Sequence, residues 1–187
     1  MGKSTTASMF AELGIPVWDA DAAVHRIYGA KGPGGPVLRD LLPQAVRPDG
    51  SVNRDALKAA IAKNPEVLGQ LEQRIHPLVA KDRAEFLATH ARASIVVLDI
   101  PLLFETNGTD LVDRIAVVTT TADNQRRRVL DRPGMDEDTF TRLLARQTPD
   151  AEKRARADFV IRSDDLATAR KDVEHLLNAL RAEAKHA

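Results

Sequence analysis

Four segments of the chain carry residue types whose spacing could do chemistry. The first is Gly2-Lys3-Ser4-Thr5, which matches the tail of a G-x-x-x-x-G-K-[ST] phosphate loop. Glycine lets backbone N–H groups close around phosphate oxygens, lysine neutralises the β- and γ-phosphates, and the Ser4 hydroxyl can coordinate Mg²⁺. A helix starting there adds the positive end of its dipole. The triplet alone is weak evidence, because it arises by chance in roughly one chain in ten of this length. A plain helix start reads equally well. A complete loop also needs its first glycine five residues earlier and a strand ahead of that. The sequence opens at Met1. Half the cradle and one strand, central in the sheet, are therefore expected to be missing, as a start codon placed too late would cause.

The second segment is Asp19-Ala20-Asp21, directly after an apolar run ending at Trp18. A carboxylate at the C-terminal end of a parallel strand faces the ligand crevice of an open α/β sheet. Asp19 could accept a proton from a substrate hydroxyl there, and Asp21 could hold metal-bound water. The plainer reading is that both acids cap the next helix. The third segment is Asp99-Ile-Pro-Leu-Leu-Phe-Glu105. Asp99 sits where a Walker B acid is expected, or is a buried structural carboxylate, and Glu105 is better placed to meet a substrate. The fourth is the Arg- and Lys-rich stretch 122–156. Arginines bind phosphate bidentately, and a hinged arginine lid can cover a transferring phosphoryl group. A solvated helix face explains most such runs, so only Arg128 and Arg132, before Pro133-Gly134, stand out. His76-Pro77 closes a helix, and no second histidine lies at metal-ligand spacing. Neither a nucleophilic triad nor a G-x-G-x-x-G is present.

The elements that must position these residues alternate between helices and short β-branched runs. The pattern predicts a helix over 4–13, a strand over 15–18, a helix over 21–28 and a glycine- and proline-rich break at 31–36. Mostly helical text follows from 36 to 90, with a turn at Pro48-Asp49-Gly50, an Asn53 cap and an interruption at Pro77. Apolar runs at 94–100, 114–119 and 159–161 suit strands covered on both faces. Residues 122–156 read as a helical hairpin. A closing helix places Leu166, Val173, Leu176, Leu177 and Leu180 on one face. This order implies an α/β fold with a mostly parallel sheet.

Composition narrows the classes. The chain has 187 residues, with 27 Lys+Arg against 27 Asp+Glu, which argues against a broad nucleic-acid footprint. It has no cysteine, which excludes disulfides, thiolate metal sites and cysteine catalysis and fits a reducing compartment. No apolar run approaches the roughly 18 residues that cross a bilayer, and the start lacks a secretory h-region. Met-Gly with Thr5 and Thr6 loosely matches a myristoylation signal, read here as coincidence. A cytoplasmic protein is expected.

Taken together, the ordered segments GKSTTASMFAELGIPVWDAD, DGSVNRDALKAAIAKNPEVLGQLEQRIHPLV, VVLDIPLLFE and RVLDRPGM…RQTPDAEKRARADFVI resemble the dephospho-coenzyme A kinase family over almost the whole length. The resemblance implies a P-loop NTPase fold of the nucleoside-monophosphate-kinase type, a parallel sheet flanked by helices. One kinase domain over 1–187 is expected, with its core at about 1–30, 91–121 and 157–187. A helical substrate-binding insert would take about 31–90 and a lid about 122–156. It also implies transfer of the ATP γ-phosphoryl to the ribose 3′-hydroxyl of dephospho-CoA, with Mg²⁺. Asp19 then matches the general base, Lys3 and Arg132 the charge-neutralising catalytic groups, and Gly2, Lys3, Ser4 and Thr5 the ATP phosphate site, with Ser4 on Mg²⁺. Asp21, His76, Leu102 and Glu105 fall in segments associated with the CoA substrate. Expected partners are ATP and dephospho-CoA, with no nucleic acid or membrane, in a monomer or small homo-oligomer. Arg162-Ser163-Asp164-Asp165 departs from the polar pair the family often carries toward its adenine site. The alternatives are another small P-loop kinase or an inactive remnant.

Overall fold

A computed structural model describes residues 2–183. Met1, on which the expectation of a late start rests, lies outside the described residues, as do residues 184–187 of the expected core. The elements run α1 (Lys3–Glu12), β1 (Val17–Asp19), α2 (Ala20–Tyr28), α3 (Gly34–Leu38), α4 (Arg54–Lys63), α5 (Glu66–Thr89), β2 (Val97–Asp99) and β3 (Ala116–Thr119). They continue with α6 (Ala122–Leu130), α7 (Glu137–Ala145), α8 (Asp150–Ala155), β4 (Phe159–Arg162) and α9 (Leu166–Glu183). Two compact units result: Met1–Val17 with Ala93–Ala187, and Trp18–Arg92.

In the first unit, α1 buries Thr6, Met9 and Phe10, a stripe at helical spacing. It meets Ile15, Ile161 and the α9 face of Ala169, Val173, Leu176 and Leu177 in one core. Leu166 was expected on that face but is 67% exposed, because it is the first residue of α9 and its side chain clears the packed turns. β3 and β4 pair in parallel, Ala116 opposite Phe159 through Thr119 opposite Arg162. β1 neighbours β2, and the Val97 N–H donates to the Pro16 carbonyl at 2.9 Å. These two strands are shorter than the apolar runs suggest. Pro16 has no N–H to extend the ladder, and Asp19 already caps α2. The stretch 122–156 forms three helices rather than a two-helix hairpin, with Thr121 and Asp136 capping the first two.

The second unit packs α2–α5 around Ile27, Leu38, Leu42, Ala45, Val52, Leu57, Leu71 and Ile75. Two expectations fail here. The glycine–proline segment does not simply break structure, because α3 begins inside it at Gly34. A Cβ on Gly35 would lie 1.9 Å from the Gly50 carbonyl oxygen, so glycine permits a backbone approach that any side chain would block. Nor does Pro77 end a helix: α5 runs through it for 24 residues. The bond that Pro77 cannot donate belongs to the carbonyl of exposed Gln73, which water can satisfy, while Leu71 and Ile75 hold the opposite face in the core. Asn53 caps α4 as expected, accepting from Asp55 and Ala56 N–H groups.

Candidate active site

The opening of α1 has the local chemistry of a phosphate site. Gly2 adopts φ +83°, a conformation that favours glycine, and its carbonyl accepts from the Thr6 N–H at 2.9 Å and the Thr6 hydroxyl at 3.1 Å. Its own side chain position faces Ser163, whose Cβ and Oγ would each lie 3.1 Å from an added Cβ. No side chain caps the helix start, which leaves the first N–H groups available to an anion. Lys3 Nζ pairs with the Asp99 carboxylate. The Asp99 side chain is 3% exposed, and its Oδ2 has no hydrogen-bond partner. Asp99 is thus a buried acid at the end of β2 that holds the lysine through one oxygen and leaves the other without a partner. Ser4 and Thr5 are exposed on the first turn.

In the second unit, Asp19 ends β1 and is the N-cap of α2, with Oδ1 accepting from the Ala22 N–H at 2.9 Å. The capping role and an available Oδ2 therefore coexist, since one oxygen suffices for the cap. Asp21 is exposed on the first turn of α2, and His76 is exposed in the interior of α5.

Glu105 lies in the segment after β2. Its side chain is mostly buried, pairing with Lys153 at 2.7 Å and accepting from the Thr148 N–H at 2.9 Å. Burial alone would raise its carboxyl, but the Lys153 and Thr148 hydrogen bonds outweigh it and hold the group below the ordinary carboxylate range. Leu102, in the same loop, is 43% exposed. Arg132 is exposed in the turn between α6 and α7 and makes no side-chain hydrogen bond or ion pair among the described residues.

Several polar groups at the ends of β3 and β4 escape a reading by spacing. Ser163 Oγ donates to the Thr119 carbonyl at 3.0 Å, and Arg128 donates to the Asp164 carbonyl at 3.0 Å. Thr119 donates to Asp150 at 2.8 Å. The Thr120 hydroxyl and the Thr121 N–H hold the Asp164 carboxyl below its ordinary range. Thr119–Ala122, Gln125, Asp150, Arg154 and Asp164 line a cavity of about 450 Å³. Arg162 and Asp165 serve the fold: the first pairs with Asp172 at 2.8 Å and the second caps α9 through Thr168. Only the abundance of Thr and Asp around 119–121 and 163–165 signals this cluster in the sequence.

A left-handed glycine, a lysine on a buried strand-end acid and an uncapped helix start together describe a P-loop. The family model described as dephospho-CoA kinase matches residues 1–168. The chain belongs to the dephospho-CoA kinase family. A dephospho-CoA kinase of Jannaschia sp. is 53% identical over 180 residues, covering 96% of this chain and 92% of that protein. The crystal structure of TT1252 from Thermus thermophilus superposes with a TM-score of 0.79 at 35% identity, covering 97% of this chain and 91% of that one. The dephospho-CoA kinase from Campylobacter jejuni, at 21% identity and a TM-score of 0.67, shares the fold over 96% of this chain and 91% of its own. For a family member, the α/β architecture with parallel strands flanked by helices is the P-loop kinase fold. No helix among the described residues is long and apolar enough to cross a membrane.

Proposed function

We propose that this chain transfers the γ-phosphoryl group of ATP to the ribose 3′-hydroxyl of dephospho-CoA, giving coenzyme A and ADP in the cytoplasm. The family match across residues 1–168 carries the reading. Phosphoryl transfer is largely positioning and charge neutralisation. The N–H groups of Gly2 through Thr5 bind the phosphates, and Lys3 leaves Asp99 to neutralise the β- and γ-oxygens. Asp19 orients the acceptor hydroxyl with its uncommitted oxygen and takes the proton late in the reaction. Arg132 neutralises charge on the transferring group, with 122–156 acting as the lid that carries it. Residues 31–90 form the acceptor-binding insert, to which His76 belongs, and Asp21, Leu102 and Glu105 complete the substrate contacts, Glu105 by shaping its loop.

Mg²⁺ fits this site, because the carboxylate that pairs with Lys3 has a buried oxygen without a partner, and Ser4, the next residue along the chain, carries a hydroxyl. Ser4 would hold the ion with Asp99 behind it, and the ion supplies charge neutralisation on the phosphates.

The test is ADP release with Mg-ATP and one acceptor at a time: dephospho-CoA, AMP, CMP or shikimate. Turnover is expected with dephospho-CoA. Phosphorylation of one of the others but not of dephospho-CoA overturns the proposal.

A further inference from the structure

We propose that Asp82 is a positioning residue for the acceptor-activating carboxylate: by holding Arg26, it keeps Asp19 free to act as a base. The proposal rests on the reading of Asp19 given above. Trp18, the residue before Asp19, is 3% exposed, and a buried indole N–H needs an acceptor. Asp82, on α5, provides one, its Oδ1 lying 2.7 Å from Trp18 Nε1. The same Oδ1 accepts from Arg26 Nη2 at 2.6 Å, and Oδ2 accepts from Arg26 Nε at 3.1 Å. One carboxylate thus grips the arginine at two points and seats it beside the indole.

Arg26 matters because of its position. It lies seven residues, about two helical turns, after Asp19, the N-cap of α2, and helical side chains lean toward the N-terminus. A released Arg26 therefore leans toward Asp19. Its guanidinium is stabilised first by the Asp82 hydrogen bond, and it also feels the charge of Asp19. An arginine that closed on Asp19 would occupy the oxygen that receives the proton and favour its ionised form, weakening it as a base. With Arg26 on Asp82, Asp19 spends one oxygen on the Ala22 N–H and has no ion pair among the described residues.

The test uses the full chain with Asp82→Asn, which keeps the shape and the acceptor for Trp18 but loses the charge that holds Arg26. We expect kcat to fall about tenfold, with KM for ATP changing less than about twofold. Adding Arg26→Met should restore kcat to within about twofold of Arg26→Met alone, the signature of coupled residues. Trp18 is the one tryptophan of the chain, so its emission reports on the seat and should stay as in the wild type. An unchanged kcat in Asp82→Asn, a loss that persists in the double variant, or a loss accompanied by shifted emission each overturns the proposal. Asp19→Asn is assayed alongside. If it keeps wild-type kcat, the reading of Asp19 is at fault. If it loses activity while Asp82→Asn does not, only the role of Asp82 fails.

Discussion

Asp19 and Glu105 are both acids near strand ends, yet their surroundings divide their work. Asp19 uses one oxygen as a cap, a task that asparagine performs as well. Asp19→Asn is therefore expected to lower kcat by about 10²-fold or more while leaving the unfolding midpoint nearly unchanged, measured by steady-state assay and thermal melt. Glu105 is committed to Lys153, which is 8% exposed. Glu105→Ala strands that ammonium and should destabilise the chain by about 3 kcal/mol, the scale for breaking a buried pair, read from denaturant unfolding. The pH sign follows from the depressed carboxyl. Its stabilisation is complete above the unfolded value and is lost as pH falls through the lower folded one. Acid unfolding below about pH 4 should thus be less steep in Glu105→Gln than in the wild type. The sequence marks Glu105 as chemically able, and only the fold brings Lys153, 48 positions away, against it.

Among the elements, two glycines with the same side chain have opposite meanings. Gly35 sits where a Cβ would strike the Gly50 carbonyl oxygen, whereas Gly69, in α5, has nothing within 4 Å. Gly35→Ala is expected to cost about 1–3 kcal/mol through overpacking, and Gly69→Ala to stabilise by about 0.5–1 kcal/mol through helix propensity. Paired unfolding curves check both. The same contrast explains which elements were legible. The α9 stripe and the Asn53 cap depend on neighbours within a few residues, so periodicity and cap chemistry find them. The continuity of α5 through Pro77 and the start of α3 at Gly34 depend on what packs behind them, and local propensity pointed the other way.

For the whole molecule, the chain divides into two compact units: the proposed phosphate groups Gly2 through Thr5 belong to the first, and the proposed acceptor groups Asp19, Asp21 and His76 belong to the second, with Leu102 and Glu105 in the first. A ligand at about one hundred times its Kd stabilises the state it binds by about 2.7 kcal/mol. Hydrogen exchange should therefore show Mg-ATP protecting α1 and β2 first, and dephospho-CoA protecting segments within Trp18–Arg92. Equal protection of both units by Mg-ATP alone counts against this division.

Residue order alone carries the alternation of helices and apolar runs, the glycine–lysine–serine opening, the acids after each early strand and the family they compose, because those signals are local or depend only on order. Tertiary structure alone decided that Lys3 rests on Asp99, that Glu105 is held by Lys153, and that Asp82 joins Trp18 to Arg26. Each is a charge whose role depends on which opposite charge the fold brings within about 3 Å, and such partners lie dozens of residues away along the chain.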